Sequence, residues 1–223
     1  STSGGNFTLA WEFLARKNQK QISEWFEKVL TGQLSVNNFL ITSQNSANAL
    51  SYAPLIEVAK KYKAQLVAVN LTREEKAPIV EKGISGADPS LIPPNYEIGD
   101  ASYFERFEAA MGGHTSSEKI KKYFDAQCLT DDVMAYEVLQ KTSSPHVFFV
   151  MGHFHSDYYN GTIGRLLRRS PGLSLASVRF VDSSAYSEAE LGEIAIDPKY
   201  GPVADFVYFV NEPTRSYPQA RPW

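Results

Sequence analysis

Apolar residues recur along this chain at two spacings, and the segments that carry them predict strands and helices in turn. Residues 7–14 set Phe7, Leu9, Trp11 and Phe13 on one side of an extended segment and Thr8, Ala10, Glu12 and Leu14 on the other, the two-residue period of a strand. Within Asn18 to Leu30, Ile22, Trp25, Phe26, Val29 and Leu30 recur at helical spacing, and Gly32 supplies a stop. Ser35 to Ile41 reads as a short helix. Tyr52, Leu55, Ile56 and Ala59 form the next helical stripe, closed by Lys60, Lys61 and Lys63 where cations suit the helix dipole. Leu66 to Val69 is a second strand that ends at Asn70, and Thr72-Arg-Glu-Glu75 opens a helix to about Lys82. Residues 84–101, with Pro89, Pro93 and Pro94, cannot form one helix and predict an ordered excursion.

Tyr103 to Met111 predicts a helix stopped by Gly112-Gly113, with His114 exposed in the connection, and Ser116 to Gln140 predicts the longest helix. The apolar stripe of that helix is interrupted by Gln127 and Asp131, which are four residues apart and therefore neighbours. Both need polar partners, either in a capping network within the core or behind an active crevice. Cys128 beside them reads as a buried, inert thiol. Val147 to Met151 are five consecutive apolar residues, the pattern of a strand buried on both faces, and Gly152, His153, His155, Asp157, Tyr158 and Tyr159 follow at once. Ligands of open α/β sheets sit at the carboxyl ends of strands, where these residues fall. Asn160 predicts the cap of a helix through Arg169, Val178 to Asp182 and Phe206 to Val210 predict further strands, and residues 213–223 read as a tail pinned by Trp223. The expected fold is a three-layer α/β/α domain over residues 1–212 with a mostly parallel central sheet.

Composition narrows the function. With 43% hydrophobic residues in 223, the chain can bury a sizeable core, and a net charge of -3 weighs against nucleic acid as a partner. One cysteine excludes an internal disulfide and a cysteine-based zinc site. Glu12 is the anomaly of the first strand, since a buried carboxylate costs several kcal/mol unless it is paired. A crevice of Glu12, Asn70, Arg73 and the 152–159 loop follows. The imidazoles of His153 and His155 admit a divalent metal, but no His-Glu-x-x-His helix supports it and closure would need Glu12 or Asp157. No Gly-x-Ser-x-Gly elbow exists, and Gly161-Thr-Ile-Gly164 is neither a dinucleotide fingerprint nor a phosphate loop. Twelve tyrosines open another route, because a tyrosine phenolate can ligate haem iron; Tyr52, Tyr158 and Tyr159, with the histidines and Arg165 near the propionates, permit such a site.

Separated stretches carry a family resemblance: Ala10-Trp-Glu-Phe13 with Gln19; Tyr52-Ala-Pro-Leu55; Ala68-Val-Asn-Leu-Thr-Arg-Glu74; Ala126-Gln-Cys-Leu-Thr-Asp-Asp-Val-Met-Ala135; and Gly152-His-Phe-His155 with Tyr158, Gly161 and Arg165. In this order they resemble the bacterial ChaN-like haem-binding proteins, whose superfamily also holds metal-dependent Tiki peptidases and erythromycin-esterase-like hydrolases. The resemblance implies haem binding in bacterial iron uptake, at the periplasm or anchored to the outer membrane as a lipoprotein, with an outer-membrane haem receptor as a partner. It further implies a tyrosine on the iron, Tyr52 or Tyr158, with His155 and Lys60 or Arg165 at the propionates and the ligand shared in a homodimer. The sequence departs from the family pattern in three places. It opens at what resembles the second strand, without the Gly-Glu-x-His strand and export signal; Thr72 replaces a proline; and Thr162-Ile163 replace Val-Pro. Two alternatives stay open, a metal-dependent hydrolase using Glu12 and His155, and an exported α/β domain without a working site.

Overall fold

The computed structural model describes residues 7–44, 46–111 and 116–211, and its first strand, β1 (Phe7–Ala15), is the centre of the sheet. Then come α1 (Gln19–Leu30), α2 (Val36–Gln44), α3 (Ala53–Lys61), β2 (Gln65–Asn70), α4 (Arg73–Lys82), α5 (Ala101–Ala110), α6 (Ser117–Lys141), β3 (His146–Val150) and α7 (Gly161–Arg169). The order is β2-β1-β3, and both pairings are parallel, with Leu9 opposite Leu66 on one side and Phe148 on the other. Parallel strands need crossover connections, so helices come to lie on both faces. On one face Leu9, Trp11, Leu66 and Ala68 pack against Ile22, Phe26 and Val29 of α1, Phe39 and Leu40 of α2, and Ile56 and Ala59 of α3. On the other, Ala10, Val67 and Val69 meet Met134, Ala135 and Val138 of α6 and Leu166 of α7. The fold is the three-layer α/β/α sandwich that the periodicity predicts.

Local chemistry sets the boundaries of these elements. Thr72 and Glu75 form a capping box at α4, the Thr72 hydroxyl accepting from the Glu75 N–H and the Glu75 carboxylate accepting from the Thr72 N–H. Edge strand β2 is protected by a side chain: the Gln19 amide donates to the Leu66 carbonyl at 3.0 Å and accepts from the Ala68 N–H at 2.7 Å, as a neighbouring strand would. The proline-rich excursion is ordered because Leu91, Ile92 and Tyr96 pack with Ile79, Ala126 and Leu129.

Three expectations are corrected. Strict alternation in β1 fails after Trp11, since the register to β2 passes from Trp11–Ala68 to Ala15–Asn70 and leaves Glu12, Phe13 and Leu14 in a bulge. Leu14 thereby joins the face of Leu9 and Trp11, and Phe13 is left 45% exposed. Strand β3 is an edge strand among the described residues, with Phe148 62% exposed; an apolar run alone does not distinguish edge from centre. Asn160 does not cap α7, because its amide oxygen accepts from Arg106 at 2.7 Å. Beyond α7 lie β4 (Val178–Asp182), α8 (Glu188–Ala195), the short pair β5 (Ile196–Asp197) and β6 (Gly201–Pro202), and β7 (Phe206–Val210). β4 and β7 form their own parallel pair, and α8 with β5 and β6 was not legible from periodicity. The stop at Gly112-Gly113, His114 and the tail 213–223 with Trp223 fall outside the described residues.

Candidate functional site

The bulge in β1 places Glu12 at the carboxyl end of the sheet, where one carboxylate oxygen accepts the Gly152 N–H and the other lies 3.2 Å from Nε2 of His155. His155 stands on the short turn that follows β3, and its Nδ1 is 2.6 Å from Oδ1 of Asp131 on α6. Asp131 is fully buried and also accepts from the hydroxyls of Tyr103, at 2.7 Å, and Thr162, at 2.8 Å. Gln127, one turn before Asp131, donates to the Tyr103 oxygen at 3.0 Å. Its amide nitrogen also approaches Nδ1 of His155, but that nitrogen carries a proton once it donates to Asp131 and has no lone pair to offer. Gly161 permits this packing: its φ of +55° suits glycine, and a Cβ there would come within 2.7 Å of the His155 carbonyl oxygen.

Charge explains why the group is stable. Burial opposes protonation of His155, yet the carboxylates of Asp131 and Glu12 outweigh it and push its pKa up to about 10. Burial disfavours the ionised Glu12 as well, but His155 and the Gly152 N–H prevail and hold it below the usual carboxylate range. The Tyr103 phenol is raised well above its ordinary value by burial and then by Asp131, so it stays a neutral donor. At neutral pH the site is therefore a carboxylate, an imidazolium and a second carboxylate in a row. An imidazolium bound at both nitrogens cannot accept a proton.

Tyr52, at the start of α3, borders the same crevice. Its ring centroid lies 5.1 Å from Trp11 and 5.2 Å from Phe13, and burial, followed by the charge of Glu12, raises its pKa. Lys76 on α4 also feels Glu12: burial lowers its pKa, and the carboxylate works in the opposite direction. Asn70 ends β2 with a buried Oδ1 that has no hydrogen-bond partner. The wall of the crevice is thus an aromatic shelf of Trp11, Phe13 and Tyr52 beside one anion and one cation.

Other expected residues lie elsewhere. Tyr158 has φ +59°, donates its N–H to the Val203 carbonyl and lies under the Arg106 guanidinium at 4.2 Å, in the seam to the C-terminal strands. His153 is mostly exposed and pairs with Asp157 at 2.9 Å. Arg73 is exposed in the first turn of α4. Lys60 stands in the last turn of α3, roughly 12 Å along the axis from Tyr52 at 1.5 Å per residue. Arg165 is buried and donates to the Gly161 carbonyl. Among the described residues no three His, Cys, Asp or Glu side chains converge as metal ligands. The sequence reading overlooked Tyr103, Thr162 and Lys76. For Lys76 a signal existed, since the Thr72 capping box fixes the register of α4 and sets Lys76 one turn in from the end of β2.

The site is thus a buried ion triplet beside an aromatic shelf at the carboxyl end of a parallel α/β sandwich. The family described as haem-binding uptake, Tiki superfamily, ChaN, matches residues 1–166, and the chain belongs to it. It is a haem-binding uptake protein on that ground. A solved structure described as cofacial heme binding to ChaN of Campylobacter jejuni superposes with a TM-score of 0.61 at 19% identity, covering 82% of this chain and 69% of that one, and shows the shared fold. No curated protein matches the chain.

Proposed function

We propose that haem binds at the Tyr52 crevice, with the Tyr52 phenolate on the iron. The observation that supports this is the setting of Tyr52, a half-buried phenol on an aromatic shelf whose outer member, Phe13, leaves nearly half its surface open to a flat ligand. Lys76, which stands in the field of the Glu12 carboxylate, is a cation on the same crevice that would face a propionate. The triplet of Glu12, His155 and Asp131 ties the carboxyl end of β1 to the 152–155 turn and to α6 beside this shelf. A ferric centre supplies the positive charge that makes loss of the raised Tyr52 proton favourable. Uptake as the role supports a periplasmic or outer-membrane-anchored location.

Tyr158 is the weaker ligand candidate, because its ring is engaged by Arg106 and Tyr200. The hydrolase alternative asks His155 to act as a base, and its charge weighs against that. The test is titration of haemin into the purified chain, followed by absorption, with Tyr52→Phe and Tyr158→Phe in parallel. Saturation at one haem per chain, lost in Tyr52→Phe and kept in Tyr158→Phe, is expected. The reverse pattern would move the ligand to the C-terminal seam.

A further inference from the structure

The C-terminal strand pair departs from what parallel strands require. Sheets of parallel strands are covered on both faces, and a lone two-stranded sheet is marginal in water. In β4 and β7, Val178 lies opposite Phe206 and Phe180 opposite Tyr208, so alternation sets these four side chains on one face. The Phe180 and Tyr208 rings stack there, with centroids 5.7 Å apart. The opposite face is attached to the domain: Val181 is buried, and the Arg179 guanidinium lies 3.5 Å from the Asp157 carboxylate. The first face is open, with Val178 46%, Phe206 56%, Tyr208 57% and Phe180 63% exposed, and among the described residues no third strand joins the pair.

We propose that this face is the contact surface for a second copy of the same chain, the two β4–β7 pairs packing face to face across a two-fold axis. An aromatic side chain offers on the order of 200 Å² to a contact, so the open parts of Phe180, Phe206 and Tyr208, with Val178, come to roughly 400 Å² per copy. Two copies cover about 800 Å² from these side chains alone, where a specific interface needs about 1,000 Å² in total. Charge selects the partner. None of the four residues is charged, and the ionised groups around them are engaged: Arg179 with Asp157 on the opposite face, Asp205 by the Ser177 N–H, and Asp182, at the end of β4, by the Ser184 N–H. A two-fold contact sets a patch against its own copy, so an uncharged face meets itself without like-charge repulsion. A membrane surface is gripped by Lys and Arg beside apolar residues, and a charged protein by an opposite charge; this face offers neither. The contact involves no haem, and the proposal does not rest on the Tyr52 reading.

Sedimentation velocity of the haem-free full chain across micromolar concentrations tests it. A reversible monomer–dimer equilibrium is expected. Phe180→Glu and Tyr208→Lys each set like charges against one another across the axis and should weaken the dimer about tenfold or more, with the circular dichroism spectrum unchanged because both positions are exposed. An equimolar mixture of the two variants brings Glu against Lys and should restore dimers, which damaged folding would not do. Where one variant does not fold, loss of the dimer in the other decides. A chain that stays monomeric, or that dimerises only when haemin is added, would overturn the proposal, as would a dimer of unchanged affinity in the folded variants. A monomer that floats with phosphatidylcholine vesicles would assign the face to a lipid surface and overturn it likewise.

Discussion

Asp131→Asn is the sharpest test of the ion triplet. The substitution keeps shape but leaves one acceptor oxygen where Tyr103 uses Oδ2 and Thr162 uses Oδ1, so one hydroxyl loses its acceptor, and it removes the negative charge 2.6 Å from the His155 ring. His155 is held at about 10 against an ordinary 6.5, which corresponds to stabilisation on the order of 4–5 kcal/mol at neutral pH, shared between Asp131 and Glu12. Removing one partner of a buried pair costs roughly 3–5 kcal/mol. Both figures point to a loss near 3 kcal/mol, or a melting temperature lower by roughly 6–12 °C in a domain of this size. The pH dependence has a definite sign. A raised pKa in the folded state stabilises fully below 6.5 and loses that contribution as pH rises through about 10. In Asp131→Asn the folded pKa falls, so the loss begins at lower pH. Urea denaturation of both proteins at pH 6, 8 and 9.5 measures this. A loss under about 1 kcal/mol, or identical pH profiles, would mean that His155 is neutral in the fold and would refute the triplet.

Gln19→Ala removes both bonds from the edge of β2 and should cost about 1–3 kcal/mol, with increased self-association as the edge is bared; denaturation and light scattering read the two effects. Cys128 is fully buried and its thiol is pushed up to about 12 by burial, so it should react with a thiol reagent only at the rate of unfolding. Reaction of the native protein at the rate of a free thiol would contradict its packing. Thr72→Ala breaks the capping box and should cost about 1 kcal/mol by urea denaturation, leaving haem stoichiometry unchanged.

The layers of the fold were legible because they rest on periodicity: Leu9 and Trp11 against Ala10, and Leu66 and Ala68 against Val67 and Val69, divide between the two cores as alternation requires. The four-residue spacing of Gln127 and Asp131 announced a polar network, which reaches His155. What failed depends on contacts distant in sequence. The β1 bulge is a matter of register with β2, the edge position of β3 depends on which strands pair with it, and the Asn160 side chain was drawn off by Arg106, 54 residues earlier. Tyr103 and Thr162 belong to the network through Asp131 alone, and no local pattern marks either.

Iron ligation by Tyr52 is read directly from the resonance Raman spectrum of the ferric haem complex of the wild-type chain beside that of Tyr52→Phe. Vibrations of an iron-bound phenolate are expected in the wild type and should disappear in Tyr52→Phe, with Tyr158→Phe unaffected. Phenolate bands that persist in Tyr52→Phe would contradict it.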